Sequence, residues 1–238
     1  MAAEGKKGPR WIPLESNPDV MNSFIHKAGV SKEWGFGDCY GTDPELLAMV
    51  PQPCLAVLLL YPSLVNEKEL KRQQKEKIEK EGQVVSPKVY YMKQLVGNAC
   101  GTIAVIHAIY NNLQHIQLEE GFIKGFYEKT KDMEPLPRGE ALGEDTALEE
   151  VHAEVAESGQ TEAPTAQTSV DYHFICFTAV DGHLYELDGG KAFPINHGPT
   201  SSESFLSDAI NYIKNYYFAN ANEEQSSHFS ILTLGPLD

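Results

Sequence analysis

The sequence predicts an α+β fold in which an antiparallel-rich central sheet is flanked by helices on both sides. Asp181-Gly182, between two apolar runs, is a strong signal for a two-residue β-hairpin. Residues 54–61 are continuously apolar and suit a strand buried on both faces. Strands and helices follow one another in an order that favours helices packed on such a sheet. At 238 residues, 42% of them hydrophobic, a single domain is expected.

Short elements precede the apolar strand. Pro18–Lys27, followed by Gly29, has the pattern of a capped amphipathic helix. A short strand near residues 36–40 and a helix at 44–49 follow. After the apolar strand, residues 66–82 are almost all Lys, Glu, Arg and Gln, which indicates a solvated helix or a mobile excursion rather than a binding patch.

The second half of the chain begins with an aromatic and β-branched run at residues 89–92, which predicts a strand. The apolar residues 104–110 then continue as a buried helix. The remaining predicted elements are a helix near residues 121–131, the hairpin, a helix at about 203–218 capped by Ser202, and a closing strand at 228–234.

Cys100 is the leading candidate for a nucleophile. It follows Gln94 by six positions, at a strand-to-helix turn where Asn98 is a plausible N-cap. The first turn of a helix favours an anion, so a thiol placed there loses its proton more readily than usual. The alternative interpretation is a buried structural cysteine that begins a core helix.

The base that a thiol site requires is not His107. Seven residues along a helix is about 10.5 Å of rise, so His107 shares a face with Cys100 but cannot hydrogen-bond to it. A core or packing role is expected for His107. His152 is assigned to a polar loop, and spacing gives the remaining histidines no cysteine or carboxylate partner.

The hairpin supplies a better pair. A two-residue loop makes Val180 pair with His183, which places Asp188 opposite Ile175. His173 shares a face with Ile175 because strand side chains alternate. Asp188 is then a diagonal neighbour of His173, with α-carbons about 7–8 Å apart. This is the geometry of a carboxylate that orients a catalytic imidazole, and a three-residue loop would break it.

These residues also carry a family resemblance. The chain from about Arg10 to its C-terminus is similar to the ubiquitin carboxyl-terminal hydrolases, and most similar to their short L-type enzymes. The matching blocks are residues 11–18, 40–47, 94–102, 173–174, 184–189 and 194–198. The resemblance implies a papain-like cysteine peptidase architecture with a knotted chain path.

By the same resemblance, Cys100 matches the nucleophile, His173 the general base and acid, and Asp188 the orienting carboxylate. Gln94 matches the side chain that forms an oxyanion hole with the backbone N–H of Cys100. All four are present, which implies an active enzyme. The stretch at 220–227 is polar where the family often has an apolar contact for ubiquitin.

The resemblance also predicts the substrate-binding residues. Ubiquitin has an arginine-bearing C-terminal tail, and the acidic residues Glu15, Asp19 and Asp38 lie at family-matching positions where they could meet it. Pro13 and Leu14 belong to the same expected substrate-binding set. The alternative for each carboxylate is a solvated surface residue.

Charge and cysteine usage limit the function classes. The 34 acidic and 19 basic residues give a net charge of −15, which disfavours nucleic acid and would attract a basic partner. The four cysteines have no CxxC or metal-ligand spacing, and the polar residues 1–9 contain no signal-like apolar segment. A cytoplasmic monomer with free thiols, a flexible N-terminus and no membrane contact is therefore expected.

Residues 151–169 are poor in large apolar side chains, and composition alone predicts disorder. In the family, the matching segment crosses over the active site and limits what can leave the ubiquitin C-terminus. The resemblance thus implies a mobile crossover loop here.

The predicted function is a thiol hydrolase that cleaves small adducts and short peptide extensions from the C-terminal glycine of ubiquitin, or of ubiquitin-like modifiers. No cofactor is required. The alternatives are a ubiquitin-binding module with little turnover and a Cys-His-Asp acyltransferase, for which no acceptor pocket is evident.

Overall fold

The structure, a computed structural model, describes residues 9–161, 164–168 and 170–237. The predicted flexible N-terminus lies, apart from Pro9, outside the described residues. The strands are β1 (Trp34–Asp38), β2 (Ala56–Pro62), β3 (Tyr172–Val180), β4 (His183–Leu187), β5 (Ile195–Pro199) and β6 (Ser230–Pro236). The helices are α1 (Pro18–Lys27), α2 (Pro44–Leu47), α3 (Glu67–Glu81), α4 (Cys100–Tyr110), α5 (Phe122–Thr130), α6 (Pro135–Gly143), α7 (Thr146–Ala156) and α8 (Phe205–Tyr212).

The six strands form one sheet in the order β1-β6-β2-β3-β4-β5, and every neighbouring pair is antiparallel. One hydrophobic core lies between the sheet and α1, α4, α5 and α7, and a second lies between the opposite face and α8. The predicted α+β class, with helices on both faces of an antiparallel-rich sheet, is confirmed.

The central strand β2 explains how both cores can form. Leu58 points into the first core and Leu59 into the second, because successive strand side chains alternate. Both side chains are fully buried. The prediction from the continuous apolar run, a strand buried on both faces, is therefore correct.

The strand predicted at residues 89–92 is wrong. The segment belongs to no strand, and its backbone pairs instead with the side chains of His107 on α4 and of Asn111, the C-cap of α4. Asn111 accepts a hydrogen bond from the backbone N–H of Tyr90 at 2.8 Å and donates one to the Tyr90 carbonyl at 2.8 Å. The Met92 N–H donates to Nε2 of His107 at 3.0 Å. Buried backbone groups need partners, and here side chains provide them.

Two further expectations need correction. The predicted loop beginning at residue 151 starts inside α7, whose Leu148, His152 and Val155 are buried. The side chain of Asp145 caps this helix by accepting the Leu148 N–H at 2.9 Å. His152 is consequently a core residue and not part of a polar loop.

The predicted helix at 203–218 is α8, which continues through a π-helical turn at Ile213–Tyr217. Its N-cap is Ser204 rather than Ser202, because the helix begins two residues later than predicted. The charged segment forms a helix, α3, which is the first of the two expected alternatives and has no buried residue. Within the described part of the chain, no helix has both the length and the apolar character needed to cross a membrane.

Candidate active site

Cys100 is the first residue of α4, a helix whose residues are all buried, and only 8% of the cysteine is exposed. The free N–H groups and the positive end of the helix dipole lie around the thiol, as the sequence predicted. The predicted N-cap is wrong, because Ala99 occupies that position. Asn98 instead has a left-handed φ of 62°, and its side chain turns away to other partners.

The β3–β4 hairpin has the predicted register. Val180 pairs with His183, and the two loop residues have the positive φ values of 48° (Asp181) and 73° (Gly182) that a tight hairpin turn requires. The register brings His173 and Asp188 together: Nε2 of the imidazole lies 2.6 Å from Oδ1 of the carboxylate. The contact between His173 and Asp188 that the hairpin spacing predicts is therefore confirmed.

The charges of the Cys100, His173 and Asp188 side chains stabilise one another. Burial alone would lower the pKa of His173, but the charge of Asp188, with hydrogen bonds to Asp188 and Cys100, raises it to about 10. Burial alone would raise the pKa of the Cys100 thiol, but hydrogen bonding to His173 and its positive charge lower it. The thiolate and the imidazolium therefore stabilise each other. Because Nε2 is bonded to Asp188, Nδ1 is the ring nitrogen left for the thiol.

The pKa values of the other three cysteines are raised rather than lowered. All four cysteines are free thiols. Burial raises the pKa of Cys54 to about 12 and that of Cys176 well above its usual value. Burial also raises the pKa of Cys39, which is half-buried. Of the four thiols, that of Cys100 has the lowered pKa, and a lowered pKa is what a nucleophilic thiol needs.

Asp188 is held by its surroundings. The Gly190 N–H donates to Oδ1 at 2.8 Å, and the Tyr91 hydroxyl contacts the carbonyls of Asp188 at 2.8 Å and Lys191 at 2.7 Å. His107 stacks on Tyr91, and burial lowers the pKa of this histidine to about 3. His107 is thus a packing residue, as predicted, and Tyr91 is a supporting residue that the sequence analysis did not identify.

Gln94 lies beside the turn that follows β4. Its backbone N–H donates to the Gly189 carbonyl at 2.9 Å, and its side-chain amide donates to the Val96 carbonyl at 3.1 Å. The side chain is therefore fixed in the loop that leads to Cys100. A side-chain N–H remains that is not used in this bond.

The predicted acidic residues meet in one groove. Glu15, Asp19 and Asp38 line a cavity of about 490 Å³, together with Tyr40. Asp19 and Asp38 are exposed, and Glu15 is partly buried. Of the two other predicted substrate-binding residues, Pro13 is partly buried, while Leu14 is 6% exposed and belongs to the core.

Leu14 packs directly beneath the nucleophile's helix. A Cβ built on Gly101 would lie 3.2 Å from Leu14 and 3.3 Å from Phe174. The side chain of Leu14 therefore serves packing, and only its backbone remains for contact with a substrate.

The segment after α7 is hydrogen-bonded to Glu15. Oε2 of Glu15 accepts hydrogen bonds from the Thr161 N–H at 3.0 Å and from its hydroxyl at 2.7 Å. A Cβ on Gly159 would lie 2.5 Å from the same oxygen, so the backbone passes very close to it. Burial of Glu15 would raise its pKa, but the bonds to Thr161 and Asn17 lower it.

The part of this segment nearer β3 is hydrogen-bonded to Arg10 and Asn98. Arg10 Nε donates to the Ala166 carbonyl at 3.1 Å, and Nδ2 of Asn98 donates to the Ala166 carbonyl at 3.1 Å and the Thr168 carbonyl at 3.2 Å. Arg10 also donates to Oδ1 of Asn98 at 3.1 Å. The described residues between α7 and β3 are thus attached both to the acidic groove and to the loop just before Cys100.

A thiol, an imidazole and a buried carboxylate in this order are suited to acyl transfer by nucleophilic catalysis. Among the described residues, no three His, Cys, Asp or Glu side chains converge as metal ligands would. The fold and this arrangement of side chains are together typical of a cysteine hydrolase.

Comparison with known proteins identifies the family. The sequence model described as "Ubiquitin carboxyl-terminal hydrolase, family 1" matches residues 11–217. The chain belongs to this family of cysteine-type deubiquitinating hydrolases.

Individual relatives agree with this assignment. A "Probable ubiquitin carboxyl-terminal hydrolase" of Dictyostelium discoideum is 50% identical over 206 residues, which cover 86% of this chain and 80% of the relative. "Ubiquitin carboxyl-terminal hydrolase isozyme L1" of Rattus norvegicus is 40% identical over 223 residues, which cover 93% of this chain and 96% of the relative.

A solved structure has the same fold. The UCH37 catalytic domain of Trichinella spiralis, solved bound to ubiquitin vinyl methyl ester, superimposes with a TM-score of 0.73 and covers 98% of each chain. The two sequences are 22% identical, so this likeness concerns the fold.

Proposed function

We propose that this chain hydrolyses small adducts and short peptide extensions from the C-terminal glycine of ubiquitin through an acyl-enzyme on Cys100. The observation that carries the proposal is the 2.6 Å contact of His173 with the buried carboxylate of Asp188, together with the lowered pKa that His173 gives the Cys100 thiol. The acidic groove close to this site supports a basic polypeptide tail as the substrate.

The proposed reaction has two steps. The Cys100 thiolate attacks the carbonyl carbon of ubiquitin's terminal glycine, and the His173 imidazolium gives its proton to the leaving amine or alcohol as the C–N or C–O bond breaks. A thioester remains. The neutral imidazole then takes a proton from water, which attacks the thioester and releases the carboxyl terminus and the thiol. Asp188 keeps the imidazole oriented and stabilises its charged form.

The tetrahedral intermediates require donors for a negative oxygen. We assign this role to the backbone N–H of Cys100, which lies in the first turn of α4, and to the side-chain amide of Gln94. Preorganised donors of this kind lower the barrier because they need no rearrangement as charge develops. The fixed position of the Gln94 side chain in the preceding loop supports the assignment.

Recognition of the ubiquitin tail falls to Glu15, Asp19 and Asp38. Their convergence on one groove supports this assignment, since the tail carries arginines and paired carboxylates bind guanidinium groups well. Glu15 is occupied by Thr161 in the free protein. An incoming guanidinium would therefore compete with the segment after α7 for the same carboxylate.

We further propose that the segment from the end of α7 to β3 is a crossover loop that limits the size of the leaving group. Its attachments at Glu15 and at Arg10 with Asn98 support a path between the acidic groove and the nucleophile's loop. A chain held at both ends leaves room for an ester or short peptide and excludes a folded protein unless the loop opens.

The proposed setting is a cytoplasmic monomer whose partner is ubiquitin, with ubiquitin-like modifiers as further candidates. The net charge of −15 supports the absence of nucleic-acid binding.

Turnover of a fluorogenic amide of the ubiquitin C-terminus tests the proposal. The wild-type protein should release many equivalents of fluorophore per equivalent of enzyme, and Cys39→Ser should match it, because that thiol lies outside the triad. Tight binding of ubiquitin with less than one equivalent released would instead identify a ubiquitin-binding module. Turnover that rises with an added amine, with ubiquitin recovered as its amide, would identify an acyltransferase.

A further inference from the structure

Helix α3 makes one contact with the catalytic triad. The helix has no buried residue, and its sequence predicted a solvated surface element. Lys71 lies on the partly buried side of this helix, together with Glu67 and Gln74. Its ammonium lies 3.2 Å from Oδ2 of Asp188 and 2.8 Å from Oε1 of Glu67, and its side chain is only 30% exposed.

The two oxygens of Asp188 are in different situations. Oδ1 contacts His173 and the Gly190 N–H. Oδ2 is fully buried and accepts no well-aligned hydrogen bond from the described residues. A buried carboxylate oxygen without a partner destabilises the folded protein, and the nearby ammonium of Lys71 offsets this by its positive charge.

Lys71 is itself held in place. Glu67, one helical turn earlier, also accepts a hydrogen bond from the Tyr61 hydroxyl at 2.9 Å. The Tyr61 ring meets the His173 imidazole edge-on, with centroids 5.8 Å apart. Burial would lower the pKa of Lys71, but the carboxylates of Asp188 and Glu67 raise it, which keeps the amine charged.

We propose that Lys71 is a positioning residue of the hydrolase, which holds the second oxygen of Asp188 so that the first stays directed at His173. This inference rests on the proposed function. Helix α3 lies outside the sequence blocks that match the family, and the proposal gives this helix a role. The orientation of Asp188 then depends on a positive charge from a helix on the protein surface.

The pH dependence of the reaction distinguishes this role from a merely structural one. Without the cation, the site becomes more negative, so the Cys100 thiol and the His173 imidazolium both keep their protons to higher pH. The other charged groups around the pair are Glu67, Lys93, Glu186 and Lys191, with the neutral side chains of Tyr61, Tyr91, His107, Tyr216 and Tyr217. None of these side chains is replaced in the Lys71 variants, although Glu67 loses its ion pair with Lys71 and the positive charge that Lys93 and Tyr216 experience is reduced.

The test compares Lys71→Met, Lys71→Gln and Lys71→Arg with the control Lys75→Met. Lys75 lies one turn further along α3 and pairs with Glu79 on the surface, so the control removes the same net charge away from the triad. We measure kcat/KM for the fluorogenic ubiquitin amide as a function of pH. The acid limb and the alkaline limb of this profile should both shift to higher pH, by about half to one pH unit, in Lys71→Met and Lys71→Gln. Lys71→Arg and Lys75→Met should keep the wild-type limbs.

A second measurement does not use ubiquitin. The rate of alkylation of Cys100 by iodoacetamide, followed against pH in a Cys39→Ser background, should show the same upward shift in the two uncharged variants. The role of Lys71 would be overturned if the pH dependence of kcat/KM and of alkylation stayed at its wild-type position in Lys71→Met and Lys71→Gln, whether or not activity fell. A wild-type protein that alkylates normally but turns over no ubiquitin amide would overturn the proposed function and leave the alkylation test of Lys71 intact.

Discussion

Replacing Asp188 by asparagine should slow the enzyme strongly without unfolding it. The carboxylate is fully buried, and the backbone carbonyl of the residue keeps its bond from Tyr91 in the variant. The substitution removes a negative charge that lies 2.6 Å from the imidazole. The neutral amide is a weaker acceptor and can also turn its NH₂ donors towards Nε2, so His173 loses the stabilisation of its charged form and its fixed orientation.

The expected loss in kcat is about 10²–10⁴-fold, by analogy with the corresponding change in serine triads. This corresponds to about 3–5 kcal/mol of transition-state stabilisation. The sign of the pH effect also follows. Asp188 is the main group that raises the pKa of His173 to about 10 against the effect of burial, so the alkaline limb should move to lower pH. Loss of Lys71 should move it the other way.

The assay is kcat and kcat/KM for the fluorogenic ubiquitin amide between pH 5 and 10, values chosen to bracket both limbs. Asp181→Asn is the matched control. Asp181 lies at the turn of the same hairpin, is exposed, and has a left-handed φ of 48° that asparagine tolerates. A wild-type rate in Asp188→Asn, with thermal unfolding unchanged, would mean that another group orients His173.

Three further predictions concern the nucleophile, the core and the crossover loop. Cys100→Ala should abolish turnover while calorimetry still detects ubiquitin binding, whereas Cys39→Ser should keep both; residual turnover in Cys100→Ala would end the thiol mechanism. Asn111→Ala should lower the free energy of unfolding in urea by about 2–4 kcal/mol, because it leaves two buried backbone groups unpaired, while the exposed Asn211→Ala should change it by less than about 0.5 kcal/mol. Inserting about ten Gly/Ser residues after Gly159 should speed cleavage of folded di-ubiquitin far more than that of small adducts, and no gain would refute the size filter.

The contact between His173 and Asp188 could be predicted from the sequence because the hairpin fixes it locally. A two-residue turn sets the pairing of β3 and β4, and alternation along each strand then decides which side chains share a face. His173 and Asp188 are only 15 residues apart, so no long-range information was needed. The helical position of Cys100 followed in the same way from its own neighbours.

The errors arose where distant residues decide the structure. Residues 89–92 have the composition of a strand, but His107 of α4 and Asn111, which caps that helix, take the place of a strand partner. The segment from 151 looked disordered because its composition was averaged with the polar loop that follows. Leu148, His152 and Val155 nevertheless follow the spacing of one buried face of a helix.

The contributions of Lys71 and Asn98 had no local signal. Lys71 is one of many charged residues on α3, and only the tertiary fold distinguishes it by placing it against Asp188. Asn98 has the side chain of a helix cap, but its left-handed backbone directs that side chain to the segment before β3 instead. Spacing along the sequence cannot separate such alternatives.

The account depends most directly on a thioester between ubiquitin and Cys100. Mixing the enzyme with a reactive ubiquitin C-terminal ester, quenching in acid within milliseconds and measuring the intact mass should reveal enzyme that carries one ubiquitin. Peptide mapping should place the bond on Cys100, and hydroxylamine should cleave it. Full turnover with the acyl group on another residue, or with no covalent species while product release is slow, would contradict the mechanism.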